Sequence, residues 1–438
     1  MARSALEPGG EIEVAVEELG ARGDGIARAG GVPIYLPFTA PGDRVRARIE
    51  ARRGNGFAAS VGAFVARAAD RREPPCRHFG VCGGCTWQHL GERAYGAVKR
   101  DLLIAALRRQ GLPPTVEATR ISPPASRRRV RFAGERSARG VVLGLRMRTA
   151  HAIVDLQECP VAVPAIAALL QPCRDVASVL EALRPVRKPA AFEVAVTASD
   201  SGCDATFTLP HAPGLADRER LARFAADCDL ARVSWRLPGG EDAPTAAEPV
   251  VERRKPVVTL GGAAVELPPD AFLQPTVAGE RAIQDIVREA VASAPKGRVA
   301  DLFAGIGTLG LLLARERAVL AADGDRAAVA ALEAAARKAK LNNLKTERRD
   351  LMRRPLSAAE LAGFAAVVFD PPRAGALEQA RAIAQSKVAV VASVSCDPAT
   401  LARDLGALAG GGYAIERVVP VDQFLWSPRI EAVAVLRR

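Results

Sequence analysis

From about residue 298 the chain alternates short apolar runs with helical stretches. RVADLFAG precedes an apolar helical stretch, AVLAAD precedes an alanine-rich one, and AAVVFDPP and VAVVASVSCDP follow. Strand–helix alternation of this kind predicts a doubly wound parallel sheet, in which ligands collect beyond the carboxyl ends of the strands. The residues that core packing does not explain fall at those ends. They are a glycine loop, an aspartate, an Asp-Pro-Pro and a Ser-Cys-Asp-Pro. No internal repeat of roughly 20–50 residues competes with this reading.

Gly305-Ile306-Gly307-Thr308-Leu309-Gly310 matches G-x-G-x-x-G between a strand and a helix, and Asp323 ends the next strand. Glycines let the backbone approach a ligand, and an acidic residue there grips ribose hydroxyls. A dinucleotide fold has the same description. Three features favour S-adenosylmethionine: Asp301 lies in a V-x-D-x-F-x-G-x-G run as in methyltransferases, the unit sits late in the chain, and Asp370–Arg373 (DPPR) ends a later strand.

Cys396 follows an apolar strand, which would aim its thiol into the ligand cleft. A lone cysteine is often a small buried hydrophobe. The alternative is nucleophilic catalysis. C5 of uracil is a weak nucleophile, but a thiolate adding to C6 gives an enolate whose C5 attacks a sulfonium methyl. A base then removes the C5 proton and the thiolate leaves.

The runs Asp370-Pro371-Pro372-Arg373-Ala374-Gly375 and Ser395-Cys396-Asp397-Pro398-Ala399-Thr400, with Asp422-Gln423-Phe424 through Ile430-Glu431, resemble the RNA uracil-C5 methyltransferases. The resemblance spans nearly the whole chain. It implies that Cys396 is the nucleophile and Glu431 the base. It implies S-adenosylmethionine contacts at Gln274, Phe303, Gly305, Gly307, Thr308, Asp323 and Asp370, with Asp350 toward the adenine, and a flipped base stacked on Phe272. The sequence departs from the family where Asn usually stands: Asp397 follows the cysteine and Thr308 sits in the glycine loop. Leu425 and Arg429 stand where Pro and His are usual. An unpaired charge at Asp397 would raise the thiol pKa.

Upstream, residues 8–66 read as a small β-barrel resembling the TRAM domain. EIEVAVEEL alternates at period 2, and VPIYLPF and RVRARIEARR follow glycine-rich turns. Arg44, Arg46 and Arg48 share one strand face, which either holds phosphates or is a charged edge. Residues 67–260 read as a central mixed α+β domain, and 261–438 as an α/β, class I Rossmann-like methyltransferase domain. A loop is expected near 238–250. The helix at 91–111 ends at Gly111, and the family layout implies that it packs on the catalytic domain.

Net charge is +12, which suits a polyanionic partner. Arg127, Arg128, Arg129 and Arg131 lie in a basic run and are phosphate candidates together with Arg44 and Arg46. The competing reading of the run is a solvated strand face. The partner is expected to be RNA, recognised in a single-stranded loop where bases are accessible. No signal core or apolar span is present, so a cytoplasmic monomer without membrane association is expected.

Cys76-x5-Cys82-x2-Cys85 and distant Cys159 make a four-thiolate set. Thiolates bind soft metals, and structural zinc more often uses two close pairs. The spacing resembles the 4Fe-4S site of the ribosomal branch of the family. That resemblance implies 23S ribosomal RNA over transfer RNA as substrate. Cys173, Cys203 and Cys228 read as packing residues. Nitrogen methylation, also served by Asp-Pro-Pro motifs, and non-catalytic RNA binding remain alternatives from other classes.

Overall fold

The computed structural model describes residues 6–113, 115–185, 188–239 and 246–438. Part of the expected 238–250 loop, residues 240–245, lies outside the described residues.

Five strands, Glu11–Leu19, Gly25–Ala29, Val32–Leu36, Arg44–Arg53 and Gly56–Ala66, close into an N-terminal barrel. Alternation decides its inside: Val45, Ala47 and Ile49 point into the core, while Arg44, Arg46 and Arg48 point out. Arg44–Arg53 pairs on both sides, so its charges do not guard a sheet edge. Gly25–Ala29 and Gly56–Ala66 were not evident as separate strands. The latter carries three register shifts against its neighbour, which break the period-2 pattern. Gly56 lies so close to the Pro33 carbonyl that a Cβ there would collide with it.

The central unit is a seven-stranded sheet running Glu248–Glu252, Arg232–Arg236, Gly202–Thr208, Ala190–Ser199, Arg129–Ser137, Gly140–Arg146 and Ile153–Asp155 across its width. Only Gly202–Thr208 and Arg232–Arg236 pair in parallel. Helices Leu170–Val179 and Leu215–Asp227 share a core with this sheet that includes Phe132, Phe192, Phe207 and Leu221. Cys173 and Cys203 are buried in it and Cys228 lies at its margin.

The C-terminal sheet has the order Leu344–Arg348, Val319–Asp323, Arg298–Leu302, Phe364–Phe369, Val390–Ser395, Glu431–Arg437, Ala414–Asp422 and Arg120–Ile121. The first five are parallel, and Glu431–Arg437 is inserted antiparallel between its neighbours. This is the largely parallel, Rossmann-like sheet expected from the alternation. The reversal of strand order beside Arg298–Leu302 opens the crevice in which such sheets bind ligands. The apolar helix expected after the glycine loop is present but short, Gly310–Leu313. Turns occupy 305–309 and the next strand begins at Val319, leaving space for little more than one helical turn. Helix Arg326–Lys338 starts on the Asp325 side chain, which accepts from Ala327 N and Ala328 N, and ends on Arg337 and Lys338.

Two elements from before the central sheet belong to this unit. Helix Glu92–Arg109 buries Leu103, Ala106 and Leu107 among Leu401, Leu405 and Val418. Strand Arg120–Ile121 extends the sheet beside Ala414–Asp422. The chain thus leaves the catalytic unit to build the central sheet and returns near Val257–Leu260, whose hairpin packs on the catalytic core.

Candidate active site

The carboxyl ends of the parallel strands open onto a cavity of about 550 Å³. Phe303, Gly305 and Thr308 line it from the glycine loop, Asp323 and Asp350 from the next two strand ends, and Asp370 from the fourth. Gln274, Phe272, Cys396 and Glu431 line it as well. One expected glycine is absent from the wall. Gly307 (φ +98°) backs onto Leu332 and Leu311, where a Cβ would collide, so it serves packing of the loop. Gly305 (φ +53°) faces open space, and its N–H donates to Asp323 Oδ2 at 2.8 Å. Phe303 holds φ +61°, a conformation that costs a non-glycine residue energy and recurs at functional sites.

These walls fit an adenosyl ligand. Asp323 ends its strand where ribose hydroxyls are gripped, the space over Gly305 is open, and carboxylates surround the place where a cation would sit. Asp301 lies behind the loop, fully buried, with Oδ2 unpartnered. Burial, then the charges of Asp370 and Asp323, push its carboxyl up to about 8. Burial pushes Asp370 up to about 7, against the opposing hydrogen bond from Gln274 Nε2 at 2.9 Å. Glu431 is also buried, and burial with Asp370 nearby holds it well above the carboxylate range.

Cys396 follows strand Val390–Ser395 and is half-buried. Burial first, then Glu431, Asp370 and Asp397, push its thiol up to about 11. The charge at Asp397 does not stand alone. Its side chain caps helix Pro398–Gly410, accepting from Ala399 N at 3.0 Å and Thr400 N at 3.2 Å, and Arg373 Nε reaches it at 3.3 Å. An acidic cap suits a helix N-terminus. An Asn could cap equally well; the carboxylate adds the pair with Arg373, a role for that arginine that its motif did not reveal.

The basic run at 127–131 divides by side-chain direction. Arg128 is buried and paired with Glu280, and its Nε holds the Gln274 carbonyl at 3.0 Å. It therefore anchors the segment carrying Gln274 and Phe272. Arg129 and Arg131 reach Asp270 at 3.1 and 2.8 Å, and Arg236 joins them at 2.9 Å. Asp270 sits at φ +55°, two residues before Phe272, which is 62% exposed at the cavity wall. Arg44 and Arg46 are exposed on the barrel and share Glu13 at 2.7 and 3.7 Å.

Arg127 enters a second, larger cavity of about 760 Å³, bounded by the barrel, the cysteine segment, the central sheet and residues 424–429. Cys76, Cys82, Cys85 and Cys159 all line it. Burial is the leading cause of the raised pKa at Cys76, Cys82 and Cys85, the last reaching about 12, and the neighbouring thiols add to it. Gln88 lines the same wall, and its amide lowers the pKa of the Cys76 and Cys85 thiols against that burial. Among the described residues no group of three or more His, Cys, Asp or Glu side chains is arranged to hold a metal ion.

A Rossmann-like sheet bearing an adenosyl-type cleft with a thiol and buried acids is the architecture of a methyltransferase. Comparison with known proteins narrows that class. Residues 262–438 match the tRNA (Uracil-5-)-methyltransferase family and residues 5–58 match the TRAM domain. An uncharacterized RNA methyltransferase of Rhizobium meliloti is 42% identical over 97% of this chain and 99% of its own. A 23S rRNA (uracil(1939)-C(5))-methyltransferase, RlmD, of Chromohalobacter salexigens is 35% identical over 97% of this chain and 89% of its own. The crystal structure of Pyrococcus abyssi tRNA (uracil-54, C5)-methyltransferase in complex with S-adenosyl-L-homocysteine shares the fold. Its TM-score is 0.74 at 22% identity, covering 97% of this chain and all of that one. The chain belongs to the family of S-adenosylmethionine-dependent RNA uracil-C5 methyltransferases.

Sequence reasoning took Arg128 for a phosphate contact and Arg373 and Gln423 only for motif residues, and missed what each one holds. Gln423 is fully buried, and its Nε2 donates to Gln274 Oε1 at 2.7 Å. No spacing rule marks such a relay, because its partners lie on different elements.

Asp301 generates a pH prediction. In the ligand-free fold it keeps its proton to about pH 8, whereas an unfolded Asp loses it near about pH 4. The folded state then binds the extra proton, so this group's contribution to stability falls as pH rises between those values. Asp301→Asn carries a permanently neutral amide. Melting curves of the ligand-free variant should decline less steeply from pH 5 to pH 8 than those of the parent; parallel curves would refute the assignment.

Proposed function

We propose that the protein methylates C5 of a uridine in 23S ribosomal RNA through a covalent Cys396 adduct. The observation that carries this reading is the convergence of Cys396, Glu431 and Asp370 on the cavity that the glycine loop builds. S-adenosylmethionine supplies the methyl group and, as a sulfonium, a positive charge beside these carboxylates. Gln274, Phe303, Gly305, Thr308, Asp323, Asp350 and Asp370 are the residues that hold it, with Gly307 acting through the loop.

Burial and nearby acids oppose the Cys396 thiolate and raise its pKa to about 11. Cationic charge next to Asp370 relieves that opposition, so the nucleophile is armed once the donor is in place. Cys396 then adds to C6, and the C5 carbanion takes the methyl group. Glu431, relieved in the same way, accepts the C5 proton. The C5–H electrons form the C5–C6 double bond as the C6–S bond breaks, returning the Cys396 thiolate, while Glu431 keeps the proton.

The uridine must leave its stack to reach this site. Phe272, at the cavity wall, is placed to stack on it. Arg127 in the larger cavity, and Arg129 and Arg131 around Asp270, flank that approach. Arg44 and Arg46 add phosphate contacts from the barrel. Ribosomal over transfer RNA is supported by the similarity to RlmD and by the four cysteines facing one cavity. A loop is the favoured context because its bases are already accessible.

An RNA carrying 5-fluorouridine tests the chemistry, since fluorine cannot leave C5 as a proton. With S-adenosylmethionine, a 23S transcript should form a band stable to denaturation that Cys396→Ala abolishes. Trapping of a transfer RNA transcript instead would move the substrate, and methylation of ordinary RNA without any trapped band would remove the C5 mechanism.

We further propose that Cys76, Cys82, Cys85 and Cys159 hold a 4Fe-4S cluster in the larger cavity. The donor set fits in kind: four thiols face one space, with the Gln88 amide beside them. Such a cluster spaces its thiolates wider than a single ion does, and four cysteine ligands leave no open position for a substrate, so we assign it a structural or RNA-positioning role. Protein prepared without oxygen should contain about four iron and four sulfide per chain, and Cys82→Ser should lose them. Stoichiometric zinc, or no metal, would contradict the cluster.

A further inference from the structure

Lys99 lies on helix Glu92–Arg109, more than three hundred residues before the strand that begins at Glu431, yet it reaches the loop that leads into that strand. Its side chain is fully buried. The ammonium donates to Asp422 Oδ1 at 2.8 Å, to the Phe424 carbonyl at 3.4 Å, and to the Arg429 carbonyl. Asp422 ends strand Ala414–Asp422, and Val421 lies opposite Glu431 in the ladder. One cation therefore holds both ends of the loop at 423–430, and its last contact is two residues before Glu431.

The middle of the loop is fixed from the same helix. The Tyr95 hydroxyl donates to Asp422 Oδ2 and accepts from Trp426 N at 2.7 Å. Trp426 is held at φ +59°, and its carbonyl accepts from Thr86 N and Trp87 N. Packing alone would accept an apolar side chain at position 99. A buried ammonium is retained at a desolvation cost, and here it gathers three oxygens that an apolar group would leave unpaired.

We propose that Lys99 is a positioning residue for the proton-abstraction step. It touches neither RNA nor methyl donor; by fixing the loop at Phe424 and Arg429 it sets the direction in which Glu431 faces C5. The proposal rests on Glu431 being the base. A misdirected Glu431 leaves thiolate addition and methyl transfer intact. It stalls only the step in which the C5–H electrons form the C5–C6 double bond and expel the Cys396 thiolate. The species that builds up is 5-methyl-5,6-dihydrouridine joined through C6 to Cys396, with S-adenosylhomocysteine already formed.

The test uses the full-length enzyme, S-adenosylmethionine and an RNA substrate with ordinary uridine. Covalent RNA on a denaturing gel is compared with released 5-methyluridine. Glu431→Gln is the reference and should accumulate the adduct. Lys99→Met combined with Asp422→Asn removes both charges, leaving no orphaned ion in the core. It should accumulate the same adduct while release slows by about 100-fold, the scale of an ångström-level misplacement of a catalytic group. S-adenosylhomocysteine affinity should match the parent, which reports a folded cofactor domain. Should the double variant fail that binding check, Tyr95→Phe decides by the same readout, with a smaller accumulation expected. Adduct in Glu431→Gln but none in the folded Lys99 or Tyr95 variant overturns the proposal. Absence of adduct in Glu431→Gln removes the base assignment itself, and the Lys99 proposal with it.

Discussion

The buried ion pair between Lys99 and Asp422 joins parts of the chain that no local rule connects. Both side chains are fully buried, and the neighbouring cluster includes Ala40 of the barrel segment, Trp87 of the cysteine segment, Tyr95 of the helix, and Leu425 and Trp426 of the C-terminal loop. Trp87 Nε1 reaches the Gly23 carbonyl at 3.0 Å, so the barrel is tied to the same node. Exchanging such a pair for well-packed apolar residues is often neutral, but removing one partner leaves a buried charge and costs about 3–5 kcal/mol. Its value here is geometric: it fixes the barrel, the helix and the loop before Glu431 in one arrangement.

A second anchor works on the opposite side of the cavity. Arg128 leaves the basic run of the central sheet to pair with Glu280 and hold the Gln274 carbonyl. Gln274 in turn bridges Gln423 and Asp370. The C-terminal loop, the Gln274 segment and the Asp-Pro-Pro strand end are therefore one hydrogen-bonded unit. Side chains held this way need little reorganisation when substrate arrives. The acids at its centre are buried near one another, which favours their protonated forms and opposes the Cys396 thiolate.

The parallel sheet and its ligand-bearing ends were legible because buried parallel strands read as continuous apolar runs, and Cys396, Asp370 and Asp323 interrupt those runs at their ends. The barrel was legible from alternation in Glu11–Leu19 and Arg44–Arg53, but bulges hid Gly56–Ala66. Roles that depend on tertiary partners were not legible. Arg128 and Arg129 are adjacent in sequence, yet one is buried against Glu280 and the other reaches Asp270. Gly307 matched the glycine motif, yet the structure places it against Leu332 rather than on the cavity wall. The cap that gives Asp397 its meaning, and the burial of Lys99, both require the fold.

The central claim is that methyl transfer to C5 requires loss of the C5 hydrogen after attack by Cys396. RNA labelled with tritium at C5 of its uridines tests this directly, with methyl incorporation counted in the same reaction. The account predicts one tritium released to water for each methyl group gained, and neither event with Cys396→Ala. Methyl gain without tritium release would place the methyl group elsewhere on the RNA and contradict the covalent C5 mechanism.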